Sequence, residues 1–309
     1  MQNKTIVLLL IICLLSFKSF SQCCSGGSAI GISTNAGLVD KNKLRINTFL
    51  KHSYSEVYFN NRKKLENFGN IKNSSFIFQG IVLNYGISHR FNIESETGYF
   101  YSKVQNFRKI PAYQLKSSGL SNGVLSIKYG VFLNTEKKKE LTFALGLKYP
   151  FAFEPMSFNN VQLPEDLQPG TSAFGFVSNI FYKKTFKRNY SIFLINRSEY
   201  NLKNGDDYIY GAKFRTSLIA SHQFLPSLSI MLQMRHEYNL SDYNNDKRMT
   251  NTGSQIFVFA PTILTSIKCK WNIALSYEHP FYKSYNGYQL SNQYAFMLSI
   301  NRDISFRKQ

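Results

Sequence analysis

Five histidines, four cysteines and a scatter of charged residues are the groups in this 309-residue chain that could do chemistry. The histidines are His52, His89, His222, His236 and His279. A lipid-cleaving barrel needs a His and a Ser two residues apart on one strand face, so that the imidazole takes the hydroxyl proton. None of the five has that spacing, and the chain is not expected to be an enzyme. Cys23-Cys24 could hold a soft cation, but no His stands nearby to complete a metal site. No metal and no cofactor is expected. The Gly26-Gly27 pair is too isolated to form a phosphate loop, and sequons such as Asn73-Ser74-Ser75 are chance products of Asn- and Ser-rich stretches.

The charged residues form a pattern only when placed on strands. From Leu228 onward, Leu228, Ile230, Leu232, Met234, Tyr238 and Leu240 share one face, and Ser229, Gln233, Arg235, Glu237 and Asn239 share the other. Successive strand residues point to opposite sides, so this alternation gives one apolar and one wet face. The preceding stretch sets Tyr208, Tyr210, Ala212, Phe214, Leu218 and Ala220 against Lys213, Arg215, Ser217 and Gln223. If the turn between them centres on Pro226, Arg215 faces Glu237. By the same alternation Glu94, Glu96, Lys128 and Glu278 join Lys213, Arg215, Arg235 and Glu237 on the wet side. The stretch 256–267 is apolar on both faces, so its orientation is open.

The elements that carry these faces are joined in a regular way. Short links fall near 88–90, 135–138, 187–188, 225–227 and 268–270. Long polar links fall near 55–74, 106–122, 154–170, 201–207, 242–253 and 283–287. Short and long alternate throughout. Outer-membrane barrels sort their links this way, with short periplasmic turns and longer outer loops, and six long loops predict about twelve antiparallel strands running up and down. A soluble β-sandwich has no reason to sort links by parity. The count of 27 Phe and 20 Tyr beside a single Trp fits aromatic rings at two membrane interfaces. No stretch after the start is long and apolar enough for a spanning helix.

The start reads as a secretory signal: Lys4, an apolar run from Ile6 to Leu15, then Ser19-Phe20-Ser21. This divides the chain into a signal peptide at 1–21, a Cys- and Gly-rich segment at 22–42 and the barrel at 43–309, with the outer membrane of a Gram-negative bacterium as its destination. The net charge is +19, two less once Lys4 and Lys18 leave. Export argues against nucleic acid as partner, and the Lys/Arg are spread rather than clustered. Lipid and lipopolysaccharide, the barrel assembly machinery, and a small-molecule or ion substrate are the expected partners. Cys269 falls in a short turn, on the same side as the start of the mature chain. It could therefore pair with Cys23 or Cys24. The rival outcomes are a vicinal Cys23–Cys24 bond, a free Cys269, and lipidation of Cys23, although Gln22 precedes it where a lipobox carries Gly, Ala or Ser.

Several stretches carry a family likeness. Gly119-Leu120-Ser121-Asn122-Gly123 runs into Ile127-Lys128-Tyr129. Leu147-Lys148-Tyr149-Pro150 precedes Leu167-Gln168-Pro169-Gly170-Thr171-Ser172. Ala260-Pro261 is followed by His279-Pro280-Phe281-Tyr282 and Asn286-Gly287-Tyr288-Gln289-Leu290. The opening is Cys23-Cys24-Ser25-Gly26-Gly27. Together these resemble the outer-membrane transporter-like proteins of the MetA-pathway of phenol degradation, in a subset with a Cys-Cys-x-Gly-Gly mature N-terminus. Ser121-Asn122 stands where that family has Gly-Asp, and Ser172 where it has Gly. The resemblance implies a channel or transporter for small molecules, hydrophobic or aromatic ones among them. The alternatives left by the residues themselves are a structural or adhesive barrel with a closed lumen and, more remotely, an outer-membrane enzyme.

Overall fold

A computed structural model describes residues 37–108, 113–134, 136, 138–158, 161–186, 189–268 and 271–306. The strands of its wall are β1 (Lys43–Asn61), β2 (Ile71–Gly86), β3 (Phe91–Phe107), β4 (Gly123–Asn134), β5 (Lys139–Tyr149), β6 (Gly175–Thr185), β7 (Tyr190–Asn201), β8 (Lys213–Leu225), β9 (Leu228–Asn239), β10 (Ser254–Ile267) and β11 (Trp271–Ser305). Each pairs antiparallel with the next, and β11 pairs back onto β1, so the sheet closes and leaves no edge in the ring. Two short strands, Lys63–Leu65 and Gln114–Leu120, pair with β1 and β3 outside the ring.

The last strand does double duty. Its first part, up to Tyr285, pairs with β10, and the part from Tyr285 onward pairs with β1. Tyr277 lies against Phe296 and Arg302 sits over the Trp271 ring, so the strand folds back about Asn286-Gly287. Gly287 takes φ +76°, which a residue without a Cβ adopts at little cost. The wall thus has twelve staves built from eleven continuous strands, as the six long loops require.

Loop lengths need correction. The segment from 55 to 74 is mostly strand, because β1 runs on to Asn61 and β2 starts at Ile71. Strand Gln114–Leu120 likewise returns along β3 inside the supposed loop 106–122. Pairing continues past the apolar band, where aromatic pairs such as Phe59 with Tyr285 and Phe107 with Tyr113 hold the projecting strands together.

The outward face is apolar along every stave. Leu125, Ile127, Leu145 and Leu147 are 52–60% exposed, a burial pattern inverted relative to a soluble protein. Such a band is stable only against lipid. His52, His222, His236 and His279 lie on this outward side among aromatics: His222 stacks on Tyr190, and His236 on Phe257 while its Nε2 bonds Gln255.

Candidate functional site: the lumen

All eight charged residues assigned to the wet face from sequence point into the barrel. Glu94, Glu96, Lys128 and Glu278 are buried there. Lys213, Arg215, Arg235 and Glu237 are partly buried. The turn does centre on Pro226-Ser227, and Arg215 is the register partner of Glu237. The ion pair forms elsewhere, however. Glu237 accepts from Arg235 Nε at 2.6 Å, and Arg235 also reaches Glu278 at 2.9 Å. Glu278 takes a second cation, Lys51, at 2.8 Å. Lys128 pairs with Glu94 on the neighbouring strand.

Sequence reasoning missed several members of this belt. Lys148 binds Glu199 at 2.8 Å, and Arg197 Nη1 donates to Glu96 Oε1 at 2.9 Å. β3 and β7 are four staves apart in the ring order. The Arg197–Glu96 pair therefore crosses the lumen and narrows it. The alternation on β7 could have found Arg197 and Glu199, but their face begins with Phe193 and Ile195 and reads as apolar.

That apolar start is real. Phe181, Phe193, Ile195, Ile219, Met231, Leu264 and Ala274 form a buried cluster inside the barrel, towards the short turns. The inner face is thus not uniformly wet, as the alternation alone implied. It is charged at mid-height and packed with apolar side chains below. This also settles the ambiguous stretch 256–267: Val258, Ala260, Thr262 and Leu264 face in, while Phe259 and Ile263 face out.

Both mouths are partly covered. At the turn end, residues 37–40 lie across the opening. Leu38 N donates to Glu140 Oε1 at 2.7 Å on β5, Val39 is buried, and the backbone of Val39 and Asp40 presses on Gly86 of β2. A Cβ on Gly86 would stand 2.2 Å from the Asp40 carbonyl oxygen, so only glycine admits this crossing. The two cysteines ahead of this segment, Cys23 and Cys24, and Cys269, lie outside the described residues, as do the proposed disulfide and the signal peptide.

At the loop end, the segment from Leu163 to Thr171 folds inward. Leu163 and Leu167 are buried, Lys103 Nζ donates to Gln168 O at 2.7 Å, Ser117 Oγ donates to Leu167 O, and Gln105 bonds Asp166. The Gln168 side chain closes the loop on itself through Met156 and Leu163. Two of the stretches that carry the family likeness meet here. Asn122 Oδ1 accepts from Thr171 N at 3.1 Å and from its hydroxyl, and Pro169 packs on Gly119. The Asn122 position, acidic in that family, here latches the loop.

Glu165, in this loop, accepts from the Tyr210 hydroxyl. Burial pushes its carboxyl above the usual range; the Tyr210 bond pulls it back, and Asp206, Asp242 and Asp166 add to the rise. A carboxyl raised in the folded state contributes stability that is fully present below the ordinary glutamate pKa and is lost as pH rises through the raised value. Hydrogen-exchange protection of residues 163–171, corrected for intrinsic rates, should be higher at about pH 4 than at about pH 7, and Glu165→Gln should flatten the difference. Greater protection at the higher pH would refute this.

No known protein family and no curated protein matches the chain by sequence. Solved structures do match. An outer membrane channel from Pseudomonas putida F1 superposes with a TM-score of 0.70 over 89% of this chain and 99% of that one, at 12% identity. The KdgM porin gives 0.45 at 9% identity over 84% and 99%. The translocator domain of autotransporter NalP from Neisseria meningitidis gives 0.47 at 8% over 85% and 89%. The fold is that of an outer-membrane β-barrel. Its lipid-facing band places it in the outer membrane, where closed barrels of this kind reside.

Proposed function

We propose that the barrel is a narrow channel or transporter for small molecules. The observation that carries this reading is the charged belt at mid-height. Ion pairs that bridge staves, with one pair crossing the lumen, restrict the path with charged groups at mid-height, above the apolar cluster that packs the turn end. Stability alone does not account for the belt, since buried ion pairs are weak sources of it. Rings of charge in a constriction are instead how pores select what passes. The likeness to phenol-degradation transporters supports a hydrophobic or aromatic cargo.

Planar-bilayer recordings test the proposal. Wild type should give small, discrete conductance steps. Glu96→Ala and Arg197→Ala remove the crossing pair and should each raise the conductance severalfold while the unheated protein still runs as a folded barrel on gels. A silent wild type with silent, folded variants would instead support a closed structural or adhesive barrel.

A further inference from the structure

The mid-height belt is unbalanced in charge. Each of its carboxylates, Glu94, Glu96, Glu199, Glu237 and Glu278, already has a Lys or Arg within 4 Å. Lys213 and Arg215 face the same space and have no carboxylate that close among the described residues. Both lie near Glu199, which Lys148 and Arg197 crowd as well, so four cations share the surroundings of one carboxylate.

The register makes the arrangement sharper. Arg197 on β7 and Arg215 on β8 are direct cross-strand partners, and Glu199 pairs with Lys213 one step further on. Like charges placed directly opposite destabilise a sheet. Arg197 is 4% exposed, and its Nε–H is buried without any acceptor. A buried donor left unmade forfeits its hydration without compensation, and the penalty is larger when the group is charged. Two opposed guanidinium groups, one with an idle N–H, are relieved by an oxyanion set between them, because the planar fork binds carboxylate or phosphate through paired hydrogen bonds.

We propose that Arg197, Lys213 and Arg215 form an oxyanion site in the lumen, which takes a small solute through a carboxylate or phosphate group. The site sits directly above the apolar cluster that begins at Ile195 and Ile219. An anion is therefore held within the charged belt, with the apolar cluster on its turn side. The inference deepens the channel reading by naming the charge class of the solute.

The test separates the two. Purified full-length barrel in a maltoside detergent is titrated with inorganic phosphate, followed by ³¹P line broadening, and with ¹³C-acetate, followed by ¹³C line broadening. Wild type should broaden at least one of the two signals, and which one responds tells phosphate from carboxylate. Lys213→Gln and Arg215→Gln should weaken binding about tenfold or more, while Arg215→Lys retains part of it. Heat-modifiable mobility on gels reports that each variant is folded. Wild type that broadens neither signal, or variants that bind as wild type does, would overturn the site. Binding by a barrel that conducts nothing leaves the site standing and removes the channel. Conductance without binding does the reverse.

Discussion

Glu278→Ala should be the most damaging single change in the lumen, lowering the stability of the folded barrel by about 3–5 kcal/mol. The carboxylate is 4% exposed and serves two cations at once, Lys51 at 2.8 Å and Arg235 at 2.9 Å. Its removal leaves a partly buried ammonium without its hydrogen-bonded carboxylate and a guanidinium that keeps only Glu237. The loss is the cost of stranded charge more than the worth of the contact. That distinction can be measured. Glu278→Ala combined with Lys51→Met removes a cation along with its anion, and should recover part of the stability lost in the single variant. Urea unfolding in lipid vesicles reads the difference. A double variant less stable than Glu278→Ala would show that the lysine stem, and not its charge, matters at this position.

The strand faces were legible in the sequence because period two is a local property. Leu228 to Asn239 needed no partner to reveal which residues face inward, and the short Pro226-Ser227 turn fixed Arg215 against Glu237. Contacts around the circumference were not legible. Glu237 binds Arg235 two positions along its own strand, and Arg197 reaches Glu96 across the barrel, because closure brings together side chains that no hairpin register relates. Alternation also misleads where the lumen is packed. Ile219 is wholly buried and Met231 nearly so, yet each sits on the face that carries Arg215 or Arg235. A polar face identified from its charged half says nothing about its apolar half. The stretches of family likeness around Asn122 and Thr171 were visible as words, but their mutual hydrogen bonds needed the fold.

Gly80→Ala should destabilise the barrel by about 1–3 kcal/mol through overpacking alone. Gly80 on β2 is the register partner of Phe49 on β1, and both face inward. An added Cβ would stand 2.1 Å from Phe49 Cζ and 2.3 Å from Cε1, far inside van der Waals contact. The ring has little room to turn away, since Phe49 is 2% exposed and packed with Phe78, Val82 and Met297. Phe78 repeats the arrangement over Gly98 on β3, where the Gln79 carbonyl oxygen also closes the space, so the two rings are seated in successive glycine notches. This predicts a specific rescue. At Gly80 the three nearest atoms all belong to the Phe49 ring, so Phe49→Leu should relieve the clash, whereas at Gly98 the backbone oxygen remains whatever replaces Phe78. The double variant Gly80→Ala with Phe49→Leu should be more stable than the sum of its single effects, and Gly98→Ala with Phe78→Leu should show a smaller compensation. Additive losses at Gly80 would mean that the notch has another role than seating the ring. The notches also bear on the lumen above, because β1 carries Lys51 two residues beyond Phe49 on the same face. A displaced Phe49 ring would carry that strand outward and lengthen the Lys51–Glu278 contact, so Gly80→Ala should weaken the charged belt as well as the apolar packing beneath it.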